Sequence, residues 1–148
     1  MIKKLNHQSL KEAEKIYQVF QASYAIEAKI LKAVDFPPLK RTVSDLKKSE
    51  TQFFGYLKDH NLAAVIEIDQ MNQSVHIQSL VVDPKYFRLG IAKALMEFVL
   101  NNFITKKMTV ETGLDNFPAV NLYKKMGFHE TKQYDTNHGI RKIRLEKY

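Results

Sequence analysis

The sequence predicts an α/β domain built on a mixed, mostly antiparallel central sheet of about six or seven strands flanked by helices. Three observations carry this. Gln52 to Leu57, Leu62 to Ile68 and Val75 to Val82 are apolar runs separated only by short polar connections, the pattern of an antiparallel meander. The period then switches from strand-like to helical over Gly90 to Phe103. A further strand at Met108 to Thr112 completes a strand–helix–strand crossover, which makes the sheet mixed.

The elements follow in order. Ile2 to Leu5 suits a short first strand. Ser9 and Glu12 have capping-box spacing, and Ala13, Ile16, Tyr17, Phe20 and Tyr24 continue at helical intervals. Ile26, Ile30, Leu31 and Val34 extend the pattern as a second helix, stopped by Asp35-Phe36-Pro37-Pro38 because proline lacks an amide donor. Val43 to Lys48 suits one or two helical turns. Lys58 to Asn61 and Asp69 to Ser74 are the turns of the meander. Pro118 to Met126 is a helix with proline in its first turn and Gly127 after its end. Phe128 to Tyr134 and Ile140 to Glu146 are two final strands joined by Asp135 to Gly139. The predicted order is βααβββαβαββ in a single domain over residues 1–148.

Composition bounds the function. The 148 residues are 45% hydrophobic and 26% charged, a globular balance sufficient for one core. The absence of cysteine removes disulfides, thiolate metal sites and cysteine nucleophiles. The first residues contain no apolar segment of signal-peptide type, and no run approaches the roughly 20 apolar residues of a membrane span. A cytoplasmic protein without a membrane partner is the expectation. The net charge of +7 comes from scattered Lys and Arg, without the clustered patch or recognition helix of a nucleic-acid partner. It reads first as a solvated, slightly basic surface, and alternatively as attraction for an anionic cofactor such as a nucleotide diphosphate. His, Asp and Glu do not cluster at metal-ligand spacing, so no metal is expected.

The informative junction is Leu80-Val81-Val82-Asp83-Pro84, a short basic loop through Arg88, and a helix opening with Gly90-Ile91-Ala92-Lys93. The first amides of a helix have no internal partner and carry the positive end of its dipole. Gly90 and Ala92 are small enough for a phosphate to approach the backbone, and Arg88 and Lys93 add full charge. Further on, Asn116, Ala119, Leu122, Tyr123, Lys125, Gly127 and Phe128 form a second pattern.

Together these segments resemble the GNAT acetyltransferase family. Its Gln/Arg-x-x-Gly-x-Gly/Ala motif follows a strand ending in Val-Asp-Pro and grips the pyrophosphate of coenzyme A. Gly90 and Ala92 match, whereas the Gln/Arg position is Phe87, with Arg88 one residue later. The second pattern is similar to the family's Asn-x-x-Ala-x-x-Leu-Tyr-x-Lys-x-Gly-Phe signature. The resemblance implies a GNAT fold and an acetyl-CoA-dependent N-acetyltransferase acting on a primary amine of a small molecule or peptide. It implies cofactor contacts at Leu80, Val81 and Val82 of the strand, at Arg88, Leu89, Gly90, Ile91, Ala92 and Lys93 of the loop and helix start, and at Asn116 and Tyr123. Tyr123 occupies the position of the tyrosine that protonates the departing thiolate. The base has three candidates by offset or by character, His76, Glu111 and Glu67, and ordered water is a fourth. The alternative to a catalyst is a GNAT-like domain that binds acyl-coenzyme A and regulates. The acceptor cleft is expected between Tyr24 and Thr42, with Glu27 and Asp35 as partners for a cationic amine and Phe36 as an apolar wall. A homodimer is compatible with the sequence and not required by it.

Overall fold

The computed structural model describes all residues from Met1 to Tyr148. Its centre is the predicted meander. Strands β2 (Gln52–Lys58), β3 (Asn61–Met71) and β4 (Ser74–Val82) pair antiparallel in sequence order, and β1 (Ile2–Lys4) pairs with β2 on the outer side. The turns are tighter than the sequence suggests. Asp59 and His60 alone connect β2 to β3, both with positive φ (51° and 68°), the geometry that matches the twist of a two-residue hairpin. Asp69 and Gln70 belong to β3, where the sequence predicts a turn, and the second connection is only Asn72 and Gln73. Cross-strand pairing overrides the polar composition of those residues.

Helix α1 (Leu10–Ile30) is one continuous element of 21 residues, not two helices. No breaker lies between Tyr24 and Ile26, and the apolar stripe continues without a shift. The box at its start does not form: Ser9 makes no side-chain cap bond, and Glu12 accepts instead from the Asn6 amide at 3.1 Å. A true capping box occurs at α2 (Val43–Lys48), where Thr42 and Asp45 serve each other's amides at 3.1 and 2.8 Å. Between the two helices, Pro37–Lys40 makes a single 3-10 turn.

After β4 the chain crosses over through α3 (Ile91–Asn102) to β5 (Lys107–Gly113), which lies parallel to β4. Helix α4 (Phe117–Lys125) leads to β6 (His129–Asp135) and β7 (Arg141–Lys147). The seven-stranded sheet has the order β1-β2-β3-β4-β5-β7-β6, so the last strand inserts between its predecessor and β5. Apolar layers cover both faces. Ile91, Leu95, Met96 and Val99 of α3 pack with Ile66, Ile68, Val75, Ile77 and Val110 on one face. Ile16, Val19 and Phe20 of α1 pack with Leu46, Phe53, Val65 and Val81 on the other.

Two irregularities in this frame open a site. Strands β4 and β5 pair only from Ser74↔Lys107 to Ile77↔Val110. Beyond that point β4 keeps β3 on one edge and has no strand on the other. At the same place the β3–β4 register moves from Ile68↔Ile77 to Glu67↔Ser79, which leaves Gln78 as a bulge. A bulge adds one residue and so reverses which side chains face each side of the sheet. Val75 and Ile77 pack toward α3 before it, and Leu80 and Val82 do so after it, while Ser79 and Val81 turn to α1.

Candidate active site

The parting of β4 and β5 continues into a cavity of about 550 Å³. Its walls are the α1 side chains Phe20, Tyr24 and Glu27, the segment from Phe36 to Asp45, the parted ends of β4 and β5, Tyr123 of α4, and Thr136, His138, Ile140 and Lys142 around the β6–β7 turn. This size suits a small organic ligand. Every buried side-chain polar atom has a hydrogen-bond partner, so the charges around the cavity can be accounted for one by one.

Glu67 is fully buried, and both oxygens are engaged. Arg41 binds them bidentately at 2.6 and 2.8 Å, Thr51 donates at 2.6 Å and Ser79 at 3.0 Å. The Arg41 guanidinium also lies 5.8 Å from the ring centres of Phe20 and Phe53. Glu67 is therefore an organising group that ties the Arg41 and Thr51 segments to the bulge. Glu111 lines the cavity, but Arg144 binds one oxygen at 2.8 Å and the Tyr134 hydroxyl donates to the other. Burial pushes its carboxyl up, and these two donors outweigh that and hold it below its ordinary value. His76 lies one step deeper, where β4 and β5 are still paired, and does not line the cavity. Its Nδ1 shares a hydrogen bond of 2.7 Å with the Thr109 hydroxyl, and burial lowers its pKa, keeping the ring neutral at neutral pH.

Glu27 and Tyr123 stand apart from these. Asn116 and Thr112, both neutral donors, bind one Glu27 oxygen, and no cation lies within ion-pair distance of either. Burial pushes its carboxyl up, more than Asn116, Thr112 and Lys142 pull it down. Tyr123 is buried, 4% exposed, and packs on Phe128 with 6.0 Å between ring centres. Burial, then the nearby Glu27 and Tyr24, pushes its hydroxyl pKa well above the ordinary value, so it stays protonated. The Asn116 side chain, expected at the cofactor, points its amide to Glu27 and locks the start of α4 to α1.

The residues expected at the phosphates are all exposed or at helix-start positions. Arg88 has φ 64°, a left-handed conformation that costs a non-glycine residue about 1–3 kcal/mol and is retained mostly at functional sites. Gly90 is the N-cap of α3 with φ 75°, supplies no side-chain cap, and has open space where a Cβ would stand. The first turn of α3 thus begins at a glycine without a side-chain cap, and Leu89, 55% exposed, precedes it. Lys93 makes only an exposed contact of 3.9 Å to Glu97. Leu80, Val81 and Val82 form the β4 stretch beyond the last β5 pair, with their backbone bonded to β3 on one edge only. An uncapped helix start beside an unpaired strand edge fits a chain of anionic phosphate followed by an amide-bearing arm, the chemistry of coenzyme A.

The acetyltransferase (GNAT) domain family matches residues 21–148. The chain belongs to the GNAT acetyltransferase family. The UPF0157 protein YqkA of Bacillus subtilis is 34% identical over 141 residues, 95% of this chain and 41% of that protein. The N-alpha-acetyltransferase of Sulfurisphaera tokodaii is 29% identical over 106 residues, 61% of this chain and 64% of that enzyme. The GNAT domain described here thus spans less than two thirds of either relative. The PaiA N-acetyltransferase of Thermoplasma acidophilum, solved in complex with coenzyme A, superposes with a TM-score of 0.76 at 19% identity, covering 99% of this chain and 97% of that one. That likeness is one of fold. No helix of the GNAT domain is long and apolar enough to cross a membrane.

Among the side chains lining the cavity, Lys142 and Ser79 carried no signal in the sequence. Lys142 enters because β7 lies beside β5 and sets it opposite Gly113. Ser79 enters because the bulge turns it toward α1.

Proposed function

We propose that the protein is an acetyl-CoA-dependent N-acetyltransferase acting on a primary amine. The observation that carries this reading is the parting of β4 from β5 at Ile77, which opens a cavity lined by the buried Tyr123 and by Glu27, a carboxylate without an ion-pair partner. Acetyl-CoA supplies the activated acyl group. The amides of Arg88 to Ala92 bind its pyrophosphate, and the free edge of Leu80 to Val82 receives the pantetheine arm and positions the thioester.

Glu27 takes a proton from the acceptor ammonium, since its raised pKa brings it nearer the working pH than an ordinary carboxylate. Of the base candidates in the sequence, Glu111 and Glu67 have both oxygens occupied, and His76 stands behind the cavity wall. The free amine forms the new C–N bond, the C–S bond breaks, and Tyr123 donates its proton to the departing sulfur. The nitrogen of the adduct gives up its second proton to the Tyr123 phenolate as the amide forms, and Glu27 releases its proton to solvent.

Thiol release from acetyl-CoA with a panel of primary amines tests the proposal. Amine-dependent release with stoichiometric amide formation is the expected result. Tight coenzyme A binding with no release for any amine would turn the reading to the regulatory domain that Phe87 in the Gln/Arg position allows.

A further inference from the structure

The cavity contains one opposite-charge pair that the fold leaves open. The charges around it are otherwise matched: Arg41 with Glu67 at 2.6 Å, Arg144 with Glu111 at 2.8 Å, and Lys40 with Asp35 at 2.5 Å. Asp45 accepts from the Thr42 amide within its capping box. His138 stands at the exposed rim. What is left is Glu27 on α1 and Lys142 on β7. Both line the cavity, and Lys142 acts through space on the Glu27 carboxylate and on Glu111, whose oxygens Arg144 and Tyr134 already hold, yet neither Lys142 nor Glu27 forms an ion pair within 4.0 Å. Lys142 is half-buried and Glu27 is half-buried, so neither charge is fully relieved by water.

Such a gap is complementary to a ligand that carries both charges itself. An ammonium group satisfies the free Glu27 oxygen, and an anionic group on the same molecule satisfies Lys142. A polyamine or another polycation meets the Lys142 ammonium as a repulsive neighbour, and of the other carboxylates at the cavity Glu67 and Glu111 are held by arginines while Asp45 is exposed and engaged by the Thr42 amide. A plain amine leaves Lys142 desolvated without compensation.

We infer that the acceptor is a small amine bearing its own anionic group, an amino-acid-like molecule held by Glu27 at the ammonium and by Lys142 at the anion. This rests on the acetyltransferase reading above and names its substrate class. The test reads binding alone, so it stands apart from turnover.

Coenzyme A-loaded protein is titrated calorimetrically with γ-aminobutyrate, butylamine and putrescine, which share one carbon skeleton and differ only in charge. The flexible chain lets γ-aminobutyrate span a range of separations. The expected order has γ-aminobutyrate at least about tenfold tighter than either of the others, the scale of one charge-assisted contact. Lys142→Glu, with coenzyme A affinity as the folding control, is expected to move the preference to putrescine. Putrescine or butylamine binding the parent as tightly as γ-aminobutyrate would overturn the inference. So would an absence of γ-aminobutyrate binding, or a Lys142→Glu protein with the parent's order. If γ-aminobutyrate binds selectively while thiol release fails for all amines, the catalytic reading falls and the recognition stands.

Discussion

At the scale of single residues, burial decides which titratable groups can act. Tyr123 and Glu27 are both pushed up by burial, but the consequence differs. For the tyrosine it ensures a proton to give; for the carboxylate it creates a base nearer neutrality. Tyr123→Phe keeps the ring against Phe128 and removes only the hydroxyl, so coenzyme A affinity is expected to stay within about twofold while kcat falls by roughly a hundredfold, the low end for a general acid because thiolates leave readily. Steady-state rates with any amine that turns over, beside a direct coenzyme A titration, check it. An unchanged kcat with chemistry rate-limiting makes Tyr123 a packing residue.

Glu27 carries a stability signature as well. Its folded pKa is raised, so its contribution to stability is complete in acid, below the ordinary carboxylate value, and is lost as pH rises through the folded value. Glu27→Gln is therefore expected to melt above the parent at neutral pH, with the gap closing toward pH 4, and to lose the acidic limb of the kcat/KM profile. Thermal melts across that range decide it, and a variant melting below the parent at every pH refutes it.

At the scale of elements, the start of α3 depends on a backbone conformation rather than on a tight fit. No atom lies within 4 Å of a Cβ built at Gly90, so substitution there acts through φ 75° and through the approach to the first-turn amides. Gly90→Val is expected to cost about 1–3 kcal/mol in stability from backbone strain and to weaken coenzyme A by at least tenfold. Gly90→Ala should be milder in both. Melting curves separate the strain from the loss of binding. A folded Gly90→Val protein with parental coenzyme A affinity would place the pyrophosphate elsewhere. The bulge at Gln78 is the second such element. It is visible in the string VHIQSLVV only as two adjacent polar residues that interrupt alternation. Those residues mark where β4 leaves β5.

At the scale of the whole molecule, Glu67 holds the cavity together. Through Arg41, Thr51 and Ser79 it joins the segment after the 3-10 turn, the segment after α2, and the far side of the bulge. Removing one member of a buried pair strands the other, so Glu67→Ala is expected to lose about 3–5 kcal/mol. The double variant Arg41→Met with Glu67→Leu should regain more than half of that loss, because neither charge then needs a partner. Denaturant titration of both checks this. A Glu67→Ala protein as stable as the parent would mean that water replaces the carboxylate.

Much of this was legible in the chain. The meander, the crossover and the helix opening at Gly90 come from local periodicity and turn chemistry, which neighbouring residues determine among themselves. The two motifs resembling the GNAT family lie in contiguous segments for the same reason. What the chain alone left open depends on which distant groups meet. The charged Glu67 inside an apolar strand signals a partner, but only packing chooses Arg41. Glu111 has the offset of a base, and β7 and β6 then bring Arg144 and Tyr134 to occupy it. Lys142 faces Glu27 because β7 inserts beside β5, a pairing between segments far apart in sequence. Periodicity encodes which face of an element is buried; tertiary structure alone decides which charges are thereby paired and which are left for a ligand.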